Sequence, residues 1–173
     1  MTQSLYDVSI PNYLQILDAM SGVLDKAKAH MAETGVDLEE VVAARLYPDM
    51  LPFGFQVQQL GFHSLGAVEA VLSGELNMRE RKPPLDYAGL QALVADTAAA
   101  LREIAPETVN AREGAPTVFN APGRQMPFTA EGFIASFSLP NFYFHASMAY
   151  AILRSRGVPI GKRDFVGMPR LTG

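Results

Sequence analysis

The chain has 173 residues, 49% of them hydrophobic and 18% charged, with a net charge of −4 and a pI near 5.3. That is the composition of one soluble, well-packed domain over residues 1–173, able to bury roughly 70% of its unfolded surface, and it excludes a disordered chain. The acidic balance, with no basic stripe, excludes nucleic acid as a main partner.

The cationic groups Arg79-Glu80-Arg81-Lys82 and Lys162-Arg163 each adjoin a carboxylate and read as solvated loops. Cysteine is absent, which removes disulfides, thiolate nucleophiles and thiolate metal sites. Met1 to Ser4 lacks a basic, then apolar leader, so no secretory signal is expected. No run approaches 18 apolar residues, so no membrane span is expected. A cytoplasmic location is the default reading.

Ile10, Leu14, Leu17, Met20, Leu24, Ala27 and Met31 recur at helical spacing after Ser9-Ile10-Pro11, and Gly35 supplies a stop. Asp37 with Glu40 resembles a capping box for a short helix through Leu46. A second long helix is expected from Pro52 to Leu72. Its packing stripe is Phe53, Val57, Leu60, Ser64, Ala67 and Val71, and a polar stripe of Gln56, Gln59 and His63 runs beside it. Residues 75–85 read as a polar loop. Asp86 is a natural N-cap for a third helix to Ile104, ended by Pro106.

Thr117-Val118-Phe119 and Gln125-Met126-Pro127-Phe128 flank Ala121-Pro122-Gly123-Arg124, which predicts a small hairpin with its proline strand at an edge. Thr129 caps a last helix to Arg156, kinked by Pro140 so that a carbonyl is freed one turn back. The tail from Val158 reads as an extended strap. The predicted fold class is all-α: a four-helix bundle with a small β-hairpin before the last helix.

On the last helix Ile134, Phe137, Asn141, His145, Met148 and Ile152 share one stripe. An imidazole and an amide are thereby carried onto an otherwise apolar face, where buried polar groups need partners. Gln56, Gln59, Asn141, Tyr143 and His145 are the predicted pocket-lining residues. Structural bonding of His145 and Asn141 to Gln59, Tyr143 or the carbonyl freed at Pro140 is the plainer alternative. His63 and His145 lie on different helices and are the candidate metal ligands, since zinc or nickel accepts neutral imidazoles. The remaining histidine, His30, sits off the main stripe of the first helix, so a three-histidine site needs all three to converge.

Ser64 beside His63 and Ser147 near His145 offer no serine–histidine arrangement, because neighbouring helical residues point apart. No GxSxG, GxGxxG or phosphate-loop pattern occurs. Phe142, Tyr143 and Phe144 must point in three directions, so at least one emerges to meet the tail or a partner subunit.

Leu5 to Pro11, Arg45 to Met50, Gln56-Val57-Gln58 and above all PNFYFHASMAYAILRSRGVPIGKRDFVG resemble a bacterial and fungal family of unknown function in the DinB/YfiT-like metalloenzyme superfamily. The resemblance implies an up-down-down-up four-helix bundle, commonly a homodimer. It also implies a divalent metal held by one histidine of the second helix and two, four residues apart, on the last. His145 matches the second of those two, and Asn141 stands where the first would be. On the second helix His63 is near the expected place, although the count to Gly74 points instead to Gln59 or Leu60. Thiol-transferase or isomerase chemistry is known for some such relatives. Three functions are therefore carried forward. They are a non-catalytic bundle with a small-ligand pocket around Asn141 and His145, a zinc- or nickel-dependent transferase or hydrolase with an incomplete histidine set, and a dimeric assembly module.

Overall fold

The computed structural model describes residues 3–78 and 83–171; the Arg79–Lys82 cluster lies outside them. The protein is mostly helical, with one small sheet. Helix α1 (Ile10–Thr34) starts with proline in its first turn and ends at Gly35, which takes φ +72°. Its buried stripe is wider than the heptad-like pattern predicts: Tyr13, Ile16 and Val23 join Leu17, Met20, Leu24 and Ala27. Helix α1 packs on α5 (Tyr87–Arg102) and on α8 (Leu139–Ser155), and neighbours on both sides require that breadth.

Helix α2 (Leu38–Val42) is shorter than the expected run to Leu46. Asp37 accepts from the Glu39 amide rather than closing a box with Glu40. The chain then turns, and the Ala44 carbonyl accepts from the Phe53 amide at 2.8 Å across the loop.

The expected helix from Pro52 to Leu72 is two helices, α3 (Phe53–His63) and α4 (Leu65–Ser73). Ser64 separates them with φ −118° and ψ −84°, outside the α region. Its hydroxyl donates to the Leu60 carbonyl at 2.5 Å, a back-bond that bends helices. Helix α5 begins as predicted, with Asp86 Oδ1 accepting from the Gly89 amide at 2.7 Å. A single turn of helix, α6 (Pro106–Asn110), follows it, so Pro106 opens an element as well as closing one.

The hairpin forms from β2 (Pro116–Ala121) and β3 (Arg124–Thr129). Pro122 presets the turn and Gly123 takes φ +71°. Strand β3 is an edge, which satisfies Pro127. Part of the expected 75–85 loop is a strand instead: β1 (Glu75–Asn77) pairs parallel to β2, giving sheet order β1-β2-β3. Three residues are too few for a legible alternation.

Thr129 caps α7 (Ala130–Gly132) through the Gly132 amide. The chain then widens into a π-helical segment, Phe133–Ser138, before α8. Pro140 therefore lies in the first turn of α8, where its missing N–H costs nothing, and the disturbance appears as the π segment. The extra residue per turn shifts the phase. The buried residues of α8 are Phe142, Ala146, Ala149, Ile152 and Leu153; of the predicted stripe Ile152 stays in the core, while Asn141 and His145 stand at the seam with α3, half-buried. Phe142 is 0% exposed, Tyr143 37% and Phe144 52%, so the three rings do diverge.

The tail is a strap with a turn of helix in it, α9 (Lys162–Val166), laid on α1. Gln15 donates to the Val166 carbonyl at 2.9 Å, Lys26 pairs with Asp164, and Arg170 donates to Asn12. No helix among the described residues is long and apolar enough to cross a membrane.

Candidate functional site

The α3–α8 seam brings His63 and His145 together. Their ring centroids are 5.4 Å apart with 16° between the planes. Helix α3 presents Gln56 and His63 on one face, seven residues apart, and Gln56 is 3% exposed. The Gln56 side chain is oriented at both ends. Its Nε2 donates to the Leu51 carbonyl at 2.9 Å, so its Oε1 faces His145 Nδ1 at 2.8 Å. Nδ1 of His145 thus carries the proton, and its Nε2 offers a lone pair.

His63, 6% exposed, has a buried Nδ1 with no hydrogen-bond partner among the described residues. Phe62 and Phe137 flank its ring, and Phe55 and Phe144 stand edge-on to His145. Burial in this aromatic surround, with His145 alongside, pushes His63 down to about 3. Burial alone pushes His145 down to about 4. Both imidazoles are neutral at pH 7.

The remaining predicted residues divide. Asn141 is half-buried one turn before His145, and its Nδ2 donates to the Phe137 carbonyl at 2.7 Å, so the amide satisfies the π segment. Gln59 is half-buried on α3 between Gln56 and His63. Tyr143 stands away from His145, its ring against Phe142; burial raises its phenol above the ordinary value and Arg170 partly offsets this. His30 does not converge. Its Nε2 lies 3.8 Å from where a Cβ on Gly157 would sit, and ten residues of α8, about 15 Å at 1.5 Å per residue, separate His145 from Ser155, two residues short of that point. Two surface clefts lie elsewhere, one between α4 and β1 and one lined by Ser147, Tyr150, Lys162 and Phe165.

Two residues of the seam were missed from the sequence. Ser138, at the end of the π segment, donates to the His63 carbonyl at 2.5 Å, and Tyr13 of α1 bonds Ser138 at 2.5 Å. A tyrosine inside the apolar stripe of α1, and a serine two residues before Pro140, were the available hints.

A catalytic zinc takes three protein ligands and an open position. Among the described residues no group of three histidines or carboxylates is placed to hold a metal. The ring spacing of the pair is near the value of about 5 Å at which two imidazoles bound to one zinc at about 2.0 Å place their ring centres. Gln56 orients His145 in the manner of an outer-shell partner.

One solved structure similar to this chain is that of a DinB family member protein from Shewanella denitrificans. It is 26% identical with a TM-score of 0.78, covering 98% of this chain and 95% of that one. None of the curated proteins matches. The profile of the family described as "Domain of unknown function (DUF1993)" matches residues 5–166, and the chain belongs to that family.

Proposed function

We propose that this protein is a non-catalytic binding module built on an up-down-down-up four-helix bundle, with the His63–His145 pair as its site. The helix order is supported by which ends meet. Tyr13 and His30 of α1 meet the start and end of α8, whereas Asp18 and Asp25 meet Arg102 and Gln91 of α5 in reverse order. On α3, Gln56 and His63 meet α8 in reverse order, and Gly54 and Gly61 meet Leu90 and Thr97 of α5 in parallel order.

The observation that carries the binding reading is the Nε2 lone pair of His145, which no described residue bonds, on a ring fixed by Gln56 and set among phenylalanines. Uncharged imidazoles in an aromatic surround suit a small neutral molecule bearing an O–H or N–H donor. Phenol is the probe. Its titration should shift the His145 Nε2 resonance saturably in ¹⁵N spectra, and His145→Phe should abolish binding. Absence of any shift up to millimolar phenol overturns this reading.

The 5.4 Å ring spacing favours a second reading, a metal-dependent enzyme of the DinB type with His63 and His145 as protein ligands. A bound divalent ion there supplies Lewis acidity or lowers the pKa of a bound water or thiol. Elemental analysis of untagged protein decides between the two. Near-stoichiometric zinc or nickel, lost in His145→Ala, supports the metal; none after add-back removes it. The half-exposed Phe144 supports a homodimer, which sedimentation at low micromolar concentration tests; a monomer there removes it.

A further inference from the structure

His63 is gripped twice by the helical run that carries His145. Its ring lies beside His145, and its backbone carbonyl accepts from Ser138, seven residues earlier on the same run. Seven residues are two turns, so Ser138 and His145 share a face. His63 ends α3, where carbonyls lack an in-helix partner.

Ser138 Oγ has a single proton, and it goes to that carbonyl. The 2.5 Å contact with Tyr13 must therefore run from the Tyr13 hydroxyl to Ser138 Oγ. The direction of the chain is fixed: Tyr13 O–H to Ser138, Ser138 O–H to the His63 carbonyl. Both Tyr13 and Ser138 are fully buried, so water does not substitute for either. Ser138 is the last residue of the π segment, in which the Leu139 amide reaches back five residues to the Ile134 carbonyl. That wider turn brings the serine to the end of α3.

We propose that Ser138, itself held by Tyr13, is a positioning residue for the imidazole pair: by fixing the His63 carbonyl at the α3–α4 break it sets where the His63 ring stands beside His145. The proposal rests on the binding reading for its functional meaning and on geometry alone for its truth.

The test is the ¹⁵N and ¹³C signature of the two imidazoles, read with no ligand present. In Ser138→Ala both rings should shift and the inter-ring contact should weaken; Ser138→Thr, which keeps the hydroxyl, should restore them. Tyr13→Phe should give a smaller shift of the same sense, and it carries the test if Ser138→Ala fails to fold. Ser9→Ala is the control. It removes an equally buried hydroxyl, bonded to the Leu5 carbonyl at 2.6 Å, and should cost stability without moving either imidazole. If Ser138→Ala or Tyr13→Phe destabilises like Ser9→Ala while both imidazole signatures stay in place, the proposal is overturned. If those signatures move but wild type takes up neither phenol nor zinc, the binding reading falls and the positioning role stands.

Discussion

The α1–α5 pair and the α3–α8 seam are built on opposite principles. Along α1–α5 two uninterrupted helices meet through an apolar stripe, and polar contacts stay at the edge: Gln91 with Asp25, Arg102 with Asp18 at 2.6 Å. The buried Tyr87 hydroxyl is satisfied by the Leu24 carbonyl at 2.8 Å. Along α3–α8 both helices are irregular, at Ser64 and through residues 133–138, and buried polar groups concentrate there. The contrast teaches that departures from helical regularity mark where this protein spends stability on placing polar side chains.

The largest expected effect lies on the regular side. Leu24→Ala removes a fully buried side chain and should cost about 2–5 kcal/mol in urea unfolding. A cost under about 1 kcal/mol would mean that the α1–α5 stripe is not a tightly packed core.

Acid should act mainly through the seam. Folded His63 and His145 hold their protons only below about 3 and 4, whereas the unfolded chain takes them up near pH 6.5. The unfolded state binds more protons throughout that window, so stability must fall as pH drops from about 6.5 toward 4. Urea midpoints at successive pH values test this. His63→Phe with His145→Phe should flatten the slope, and an unchanged slope would remove the seam from the comparison.

Gln56→Ala should cost about 1–3 kcal/mol, because a nearly buried amide with partners at both ends is lost. It should also scramble the His145 tautomer, visible in ¹⁵N spectra; an unaltered tautomer would show that Gln56 does not orient the ring. Arg102→Ala should be nearly silent, within about 0.5 kcal/mol, since that pair is solvent-exposed. A larger loss in thermal melts would give the α1–α5 edge more weight than its exposure allows.

The same contrast explains what the sequence could convey. Helix α1, the caps at Asp86 and Thr129, and the Pro122-Gly123 turn were legible, because each follows from spacing or from a residue with one backbone habit. The meeting of His63 and His145 was legible as a polar stripe on one helix and an imidazole on the apolar face of another. The break at Ser64 was not, since serine is unremarkable within a helix and its back-bond to Leu60 depends on tertiary context. The π segment moved Asn141 and His145 off the core stripe by a change of phase, to which a count of three and four is blind. Strand β1 exists only because β2, some forty residues on, gives it a partner.

The strap has a consequence for biosynthesis. Gly167, at φ +65°, lies so close to α1 that a Cβ would stand 3.2 Å from Ala19 and 3.3 Å from the Gln15 carbonyl, and the helices laid on α1, namely α5, α8 and α9, all begin more than fifty residues beyond its end. On the ribosome, α1 therefore emerges with its greasy side bare and stays so until distant segments arrive. Nascent chains of this protein should be chaperone clients for most of their elongation.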